Sequence, residues 1–134
     1  MARPSNDKTT GTTPARSELE VLKILWKHGP STVRFVHDTL NEGEKTVQYT
    51  STLKLMQVMT EKGMLQRDET NMKHIYIPVL EEQKTMGLVL EKFLENMYNG
   101  SIGDLLVAFL KNTKSSKKEV KKLKELLDQL DQSE

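Results

Sequence analysis

The spacing of apolar residues in this chain changes at Gly63, and that change restricts the fold more than composition does. Before Gly63, apolar residues recur at helical spacing in three segments. Gly29 and Pro30 separate the first segment from the second, and Gly43 ends the second. After Gly63 come two short alternating or β-branched runs with a polar turn between them, a pattern that predicts a β-hairpin. Three helices followed by a hairpin is the order of a winged helix-turn-helix.

Local signals set the expected bounds of the three helices. Ser17 and Glu20 have the spacing of a capping box, which predicts that the first helix begins there. Ser31 or Thr32 is expected to cap the second helix. The third helix is expected to cover residues 49–63, directly before the hairpin.

Helical spacing returns at Glu81 and continues to the end of the chain. A long amphipathic helix is followed by the Asn99-Gly100 break, an apolar helix and a last helix. The predicted fold class is mainly α with a small β-hairpin wing: a winged helix-turn-helix plus a C-terminal helical dimerisation domain. The expected domains are residues 1–14 as a disordered tail, 15–80 as a winged-helix DNA-binding domain and 81–134 as the dimerisation domain.

The C-terminal helices cannot close a hydrophobic core alone. They span roughly 50 residues, too few for a readily stable domain, and one of them is apolar on nearly all sides. A second copy of the chain is the simplest partner, because twofold dimers are the commonest oligomers. The alternative is packing against the N-terminal half. The residues expected at the contact between copies are Leu94, Met97, Leu105, Leu106, Phe109, Leu123, Leu127 and Leu130.

Composition excludes several classes of protein. The chain has 134 residues and no Cys, so disulfides, Cys-based zinc sites and thiol chemistry are excluded. No apolar run approaches the roughly 18–20 residues of a membrane span, and the N-terminus lacks the apolar segment of a signal peptide. A cytoplasmic protein without membrane insertion is expected. The net charge of +1 is low for a nucleic-acid binder, so DNA affinity would depend on local clusters.

The outer face of the third helix has the chemistry of a DNA-recognition surface. On a helical wheel, Leu55, Met56 and Met59 share one side and face the first two helices. The first turns of a helix in the major groove are the part that reaches base edges. The opposite side presents hydrogen-bonding side chains within those turns: Thr50, Ser51, Lys54 and Gln57.

A second group of residues is predicted to hold the DNA backbone. Free N–H groups at the start of the second helix suit a phosphate, and a wing can reach a phosphate or the minor groove. The residues assigned this role are Ser31, Thr32, Arg34, Tyr49, Asn71 and Lys73. Arg67 is a weaker candidate, because Asp68 or Glu69 can pair with it.

A polar outer face alone does not establish DNA binding, because most exposed helix faces are polar. Two alternatives to an operator-binding repressor remain: a winged-helix protein-protein interaction module and a ligand-sensing regulator. An enzyme is not expected, because no nucleophile, phosphate-loop or metal-ligand motif occurs. His28, His37 and His74 lack metal-binding spacing, so neither a metal nor a cofactor is expected.

Three stretches of the chain resemble the penicillinase-repressor family, the BlaI/MecI group that also contains copper-responsive repressors. They are SELEVLKILWKHGPSTVRFVHDTLNE, YTSTLKLMQVMTEKGMLQRD and KHIYIPV. The resemblance runs from about Arg16 to the C-terminus. It implies a dimeric winged-helix repressor: the N-terminal domain binds one half of a dyad operator, and the C-terminal helices dimerise.

Two properties of the family bear on induction. Copper-responsive members carry a C-terminal cysteine cluster, so the absence of Cys excludes that mode here. In β-lactam-responsive members, a membrane sensor-protease pathway cuts an Asn-Phe bond within the dimerisation helices. The matching bond here is Ala108-Phe109, which keeps the Phe and lacks the Asn. Cutting or loosening this helix is expected to weaken the dimer and release the operator.

Overall fold

The computed structural model of the chain describes residues 13–43, 46–70, 72–112 and 117–132. Within these ranges the elements are α1 (Arg16–His28), α2 (Val33–Leu40), α3 (Tyr49–Glu61), β1 (Leu65–Asp68), β2 (Ile75–Pro78), α4 (Glu82–Tyr98), α5 (Ile102–Asn112) and α6 (Lys117–Gln132). The predicted fold class, a winged helix-turn-helix followed by C-terminal helices, is confirmed. Of the predicted tail, residues 1–12 lie outside the described residues.

The core of the winged helix is formed where the apolar faces of α1, α2 and α3 meet the base of the hairpin. Each helix contributes residues at helical spacing, and the hairpin adds the side chains nearest its base. The core residues are Val21, Leu22 and Leu25 of α1, Val33 and Val36 of α2, Met56 and Met59 of α3, and Met64, Leu65 and Tyr76.

The hairpin is antiparallel and is attached to the turn between α1 and α2. Leu65 lies opposite Pro78 and Asp68 opposite Ile75. The backbone of Tyr76 also pairs with Ser31, through hydrogen bonds of 3.1 Å from Ser31 N–H to the Tyr76 carbonyl and 2.8 Å from Tyr76 N–H to the Ser31 carbonyl. The wing is therefore held against the start of α2.

The predicted capping box at Ser17 and Glu20 is wrong. The helix begins earlier, with Ala15 as its N-cap, and the Glu18 carboxylate accepts a hydrogen bond of 2.8 Å from the Ala15 N–H. Glu18 is buried, and its other oxygen lies 2.8 Å from the ammonium of Lys62 at the end of α3. Glu18 therefore caps the start of α1 locally, and its long-range ion pair ties this start to the end of α3.

The chain divides into two compact units between Leu90 and Glu91. In the first unit, the indole N–H of Trp26 donates a hydrogen bond of 3.0 Å to the Leu80 carbonyl, and Thr85 near the start of α4 is buried. These contacts fix the segment that leads from the wing into α4.

The second unit contains the end of α4 together with α5 and α6. The Ser101 hydroxyl accepts a hydrogen bond of 3.0 Å from the Asp104 N–H and so caps α5. In the part of the chain that the structure describes, α6 has no buried residue. No helix within those ranges has the length and apolar character needed to cross a membrane.

Candidate nucleic-acid interface

The two faces of α3 differ as the sequence predicts. Thr52, Met56 and Met59 are buried against the other helices, and Leu55 is half-buried. The four hydrogen-bonding residues predicted to contact DNA bases are all exposed: Thr50, Ser51, Lys54 and Gln57. A row of donors and acceptors therefore covers the outer side of the first turns of α3.

Tyr49 lies between two residues of α2 at the beginning of this face. The Arg34 guanidinium carbon is 4.4 Å from the centre of the Tyr49 ring, a cation–π contact. The His37 ring also contacts Tyr49 in an edge-to-face arrangement, with ring centres 5.5 Å apart. Arg34 is exposed and lies 3.9 Å from Asp38, so its charge remains available at the surface. The structure thus brings Arg34 and Tyr49 together.

Thr32, and not Ser31, caps α2. The Thr32 hydroxyl accepts a hydrogen bond of 3.1 Å from the Phe35 N–H. The Ser31 hydroxyl instead donates a hydrogen bond of 2.8 Å to the Gly29 carbonyl, and its backbone pairs with the wing. Both residues are half-buried at the point where the wing meets the start of α2.

The wing presents exposed polar and basic side chains. Lys73 and His74 are exposed, whereas Asn71, the other wing residue assigned to DNA, lies outside the described residues. Arg67 pairs with Glu69, whose carboxylate accepts a hydrogen bond of 2.6 Å from Nε of Arg67. Hydrogen bonds to Tyr76 and Glu69 raise the pKa of Arg67 above its ordinary value. This pairing agrees with the expectation that Arg67 is a weaker candidate than the other residues for contacting the DNA backbone.

An open cleft of about 470 Å³ is lined by residues of α2 and its N-cap, of α3 and of the wing. Its lining includes Thr32 and Arg34 from α2, Tyr49 from α3, and Lys73 and His74 from the wing. Four residues assigned to the DNA backbone therefore share one concave surface. The four residues predicted to contact bases do not line this cleft: Thr50, Ser51, Lys54 and Gln57 follow it along α3.

The sequence reasoning missed Asn41 as a residue that positions α3. The Asn41 amide donates a hydrogen bond of 3.1 Å to the Val47 carbonyl and accepts one of 2.7 Å from the Val47 N–H. The amide nitrogen also lies 3.1 Å from Nε2 of His37, whose Nδ1 is 3.4 Å from the Thr52 hydroxyl. This network fixes the backbone two residues before α3. The only local signal was an Asn directly after α2, a pattern that indicates the end of a helix and no further role.

The residues expected at the contact between copies differ in exposure within a single chain. Met97, Leu127 and Leu130 are 63%, 56% and 66% exposed. The other five are half-buried: Leu94, Leu105, Leu106, Phe109 and Leu123. Ala108 and Phe109, at the candidate cleavage bond, lie in the middle of α5 and are both half-buried.

The pattern of the penicillinase repressor family matches residues 14–129, nearly the whole described chain. The chain belongs to the penicillinase repressor family. A penicillinase repressor of Bacillus licheniformis is 29% identical to it over 100 residues, which make up 72% of this chain and 74% of that protein. Members of this family are DNA-binding regulators and not enzymes, so the chain is a transcriptional repressor. The resemblance seen in the sequence is confirmed.

Proposed function

We propose that this penicillinase-repressor family member acts in the cytoplasm as a homodimer on a dyad operator. Each copy places α3 in the major groove of one half-site, and cutting or loosening of the C-terminal helices ends repression. The observation that carries the proposal is the outer face of α3, which exposes Thr50, Ser51, Lys54 and Gln57 while the inner face is buried.

The exposed face of α3 has the right chemistry for base edges. The major groove admits one helix, and residues in its first turns reach the bases. Gln57 can pair with adenine, and Lys54 with guanine or a phosphate. Thr50 and Ser51 can donate or accept, and the Thr50 methyl can contact a thymine methyl. A net charge of +1 does not prevent this, because the bases are recognised through hydrogen bonds.

The cleft beside α3 supports backbone contacts. Arg34 extends across the Tyr49 ring, which limits the orientations available to the guanidinium before DNA arrives. Lys73 lines the same cleft from the wing. A phosphate between these cations would also approach the start of α2, where backbone N–H groups favour anions. Such contacts set the register of α3 along the duplex.

Dimerisation is supported by the apolar residues that remain exposed in the second unit. Met97, Leu127 and Leu130 are each more than half exposed, and covering them removes apolar surface from water. In a twofold dimer the two copies of α3 would lie about one helical turn of DNA, roughly 34–36 Å, apart.

A membrane sensor-protease is the proposed partner in induction, and Ala108-Phe109 is the proposed bond. This bond lies within α5, whose residues Leu105, Leu106 and Phe109 are assigned to the contact between copies. Hydrolysis after Ala108 would separate α6 from the DNA-binding unit and divide an apolar helix. Each copy would then bind its half-site alone, without the affinity gained from linkage to the other copy.

The direct test replaces Lys54 and Gln57 with Ala and titrates operator and unrelated duplex DNA. Each lost base contact should cost about 1–3 kcal/mol on the operator and little on unrelated DNA. Lys84→Ala is a matched control, because Lys84 is an exposed cation on α4 and lines neither of the clefts that border α3. Unchanged discrimination between the two duplexes would contradict the assignment of α3.

Salt dependence separates DNA binding from the protein-interaction alternative. A dimer that neutralises about 6–10 phosphates should lose about 10³- to 10⁵-fold in affinity between 50 and 200 mM salt. A chain ending at Ala108 should bind the same operator with the affinity of a single half-site. A flat salt response, with no footprint on the protein's own promoter, would favour a protein partner.

A further inference from the structure

The chain that leads from the wing into α4 is attached to the first unit at three places. The Val79 N–H donates a hydrogen bond of 2.9 Å to the Met64 carbonyl, at the base of the hairpin. The carbonyl of the next residue, Leu80, accepts a hydrogen bond of 3.0 Å from the indole N–H of Trp26 on α1. Thr85, at the beginning of α4, is buried. Each attachment uses a different group of atoms, so together they restrict the segment more than any one does.

The bond from Trp26 to Leu80 is supported by packing on both sides. Both residues are half-buried, and both pack against the core of the winged helix. A hydrogen bond that is partly shielded from water is electrostatically stronger than one in full contact with solvent. The indole of α1 therefore fixes the position of the chain directly before α4.

Burial along α4 ends just after this point. Thr85 is the buried residue of Glu82–Tyr98, all of which the structure describes, and from Met86 onward each side chain is half-buried or exposed. The helix is thus held at its beginning and not along its length. Attachments at the beginning of a helix determine the direction of its axis, because its later turns follow from a regular backbone geometry.

We propose that Trp26 is a positioning residue for operator spacing, because it fixes the direction in which α4 leaves the DNA-binding unit. The inference rests on the proposed dimeric repressor and adds what determines the distance between the two half-sites. The residues assigned to the contact between copies follow this segment in the chain. A restriction on the beginning of α4 is then also a restriction on where a second copy can place its own α3.

DNA converts a small change of spacing into a large change of geometry. One turn of the duplex takes about 10–10.5 base pairs and about 34–36 Å, so each inserted base pair moves a half-site by about 3.4 Å and rotates it by about 34–36°. A firmly attached α4 cannot follow two such steps while both copies of α3 remain in the major groove. When two linked sites cannot be occupied together, the affinity gained from linkage is lost.

Trp26 is the attachment that one substitution can remove with little other change. Phenylalanine keeps an aromatic ring in the half-buried position and lacks the N–H that Leu80 accepts. Trp26 lines neither of the two clefts that border α3, so its replacement leaves the proposed DNA contacts of each copy in place. The effect on spacing can therefore be separated from the effect on a single half-site.

The test measures binding of the full chain to a series of duplexes that differ in spacing. A half-site is first selected from random-sequence duplexes with the unaltered chain. Two copies of it are then placed at the best spacing and at spacings one and two base pairs shorter and longer, with the single half-site as reference. The proteins are the unaltered chain, Trp26→Phe and the control Gln83→Ala, which changes an exposed residue at the beginning of α4. Fluorescence anisotropy of labelled duplexes gives the dissociation constants.

A spacing role predicts a change in one quantity and not in the other. The unaltered chain and Gln83→Ala should bind at least about tenfold more weakly when the spacing changes by two base pairs, as part of the 10²- to 10⁴-fold gain from linkage is lost. Trp26→Phe should lose about threefold or less over the same series, because a loosely held α4 adapts to it. Its affinity for the single half-site should stay within about twofold of the unaltered value. A merely structural role would instead weaken binding to every duplex alike.

Several results would overturn the inference and leave the repressor itself intact. One is an unaltered chain that binds all spacings equally, and another is a Trp26→Phe profile as sharp as the original. If Trp26→Phe also loses half-site affinity, Thr85→Ala replaces it, because this change loosens the beginning of α4 without altering α1; a sharp profile would again overturn the inference. A chain that binds two half-sites no better than one at every spacing would instead contradict the proposed dimeric repressor.

Discussion

The two compact units of this chain differ in how far their apolar side chains are buried. In the N-terminal unit, Leu22, Met56 and Met59 are completely buried by neighbours from the same chain. In the C-terminal unit, Leu127 and Leu130 are more than half exposed. The first unit has the burial of a self-sufficient domain, and the second has that of one side of an interface.

This difference separates two sources of stability. Burial within one chain is independent of protein concentration, whereas burial between copies depends on it. If the proposed dimer forms through the second unit, the repressor can lose it while the first unit remains folded. The first three predictions below test this division, and each compares a change in one unit with a quantity that belongs to the other.

The largest effect is expected from Leu22→Ala in the core. Leu22 is fully buried, so truncation removes apolar contact and leaves a cavity that lowers the free energy of unfolding by about 2–5 kcal/mol. Urea unfolding followed by the fluorescence of Trp26, the single Trp, measures this change. The dimer dissociation constant should stay the same. A change in that constant equal to the loss of stability would show that the units are not separate.

Leu127→Ala is the matched substitution in the second unit. It should weaken the dimer by about 1–2 kcal/mol per copy, since a half-exposed leucine gains burial only in the contact. Sedimentation equilibrium measures the dissociation constant. The urea transition reported by Trp26 should not move, and an equal shift in that transition would contradict the division.

Asn41→Ala should affect operator binding alone. The substitution removes both hydrogen bonds between the Asn41 side chain and the Val47 backbone. Because α3 is then held less firmly, the free energy of operator binding should weaken by about 1 kcal/mol, which is a several-fold loss of affinity. Asn41→Asp, which keeps an acceptor for the Val47 N–H, should recover part of the loss. Glu42→Ala is the control, because Glu42 is the exposed neighbour. A dimer dissociation constant that changed with Asn41 would show that the effect is not confined to α3.

The smallest effect concerns the wing at low pH. The Thr70 N–H donates a hydrogen bond of 2.9 Å to the Asp68 carboxylate, and this bond holds the pKa of Asp68 below its usual value. Because the folded pKa is the lower one, the contribution to stability is present at neutral pH and is lost as the pH falls below about 4. The protection factor of the Thr70 amide against hydrogen exchange, which corrects for the intrinsic pH dependence of exchange, should fall over that range. Asp68→Asn should remove this fall, and a fall that persists in the variant would assign it to another group.

The sequence predicts the features that depend on periodicity. The order of helices and hairpin is correct because helical and strand spacings differ and Gly63 marks the change. The buried and exposed sides of α3 are also correct, since Met56 and Met59 share a face at helical spacing. These features depend on residues close together in the chain.

Features that depend on distant residues were not predictable. The start of α1 was misplaced because Glu18 is held by Lys62, 44 residues away. The role of Asn41 was missed because its bonds to Val47 depend on the path of the backbone between two helices. The apolar positions of α6 were recognisable from their helical spacing, but their burial in the proposed dimer depends on a second copy of the chain.

The pairing of Ser31 with Tyr76 involves main-chain atoms only. Substitution of Ser31 would leave both bonds in place, with proline as the exception because it has no N–H; Tyr76 is in addition a buried core residue. The side chain at position 31 can therefore change while the main-chain pairing between the start of α2 and the wing is kept. Operator preference can then change through substitutions of surface residues, with no compensating change in the way the wing is attached to the start of α2.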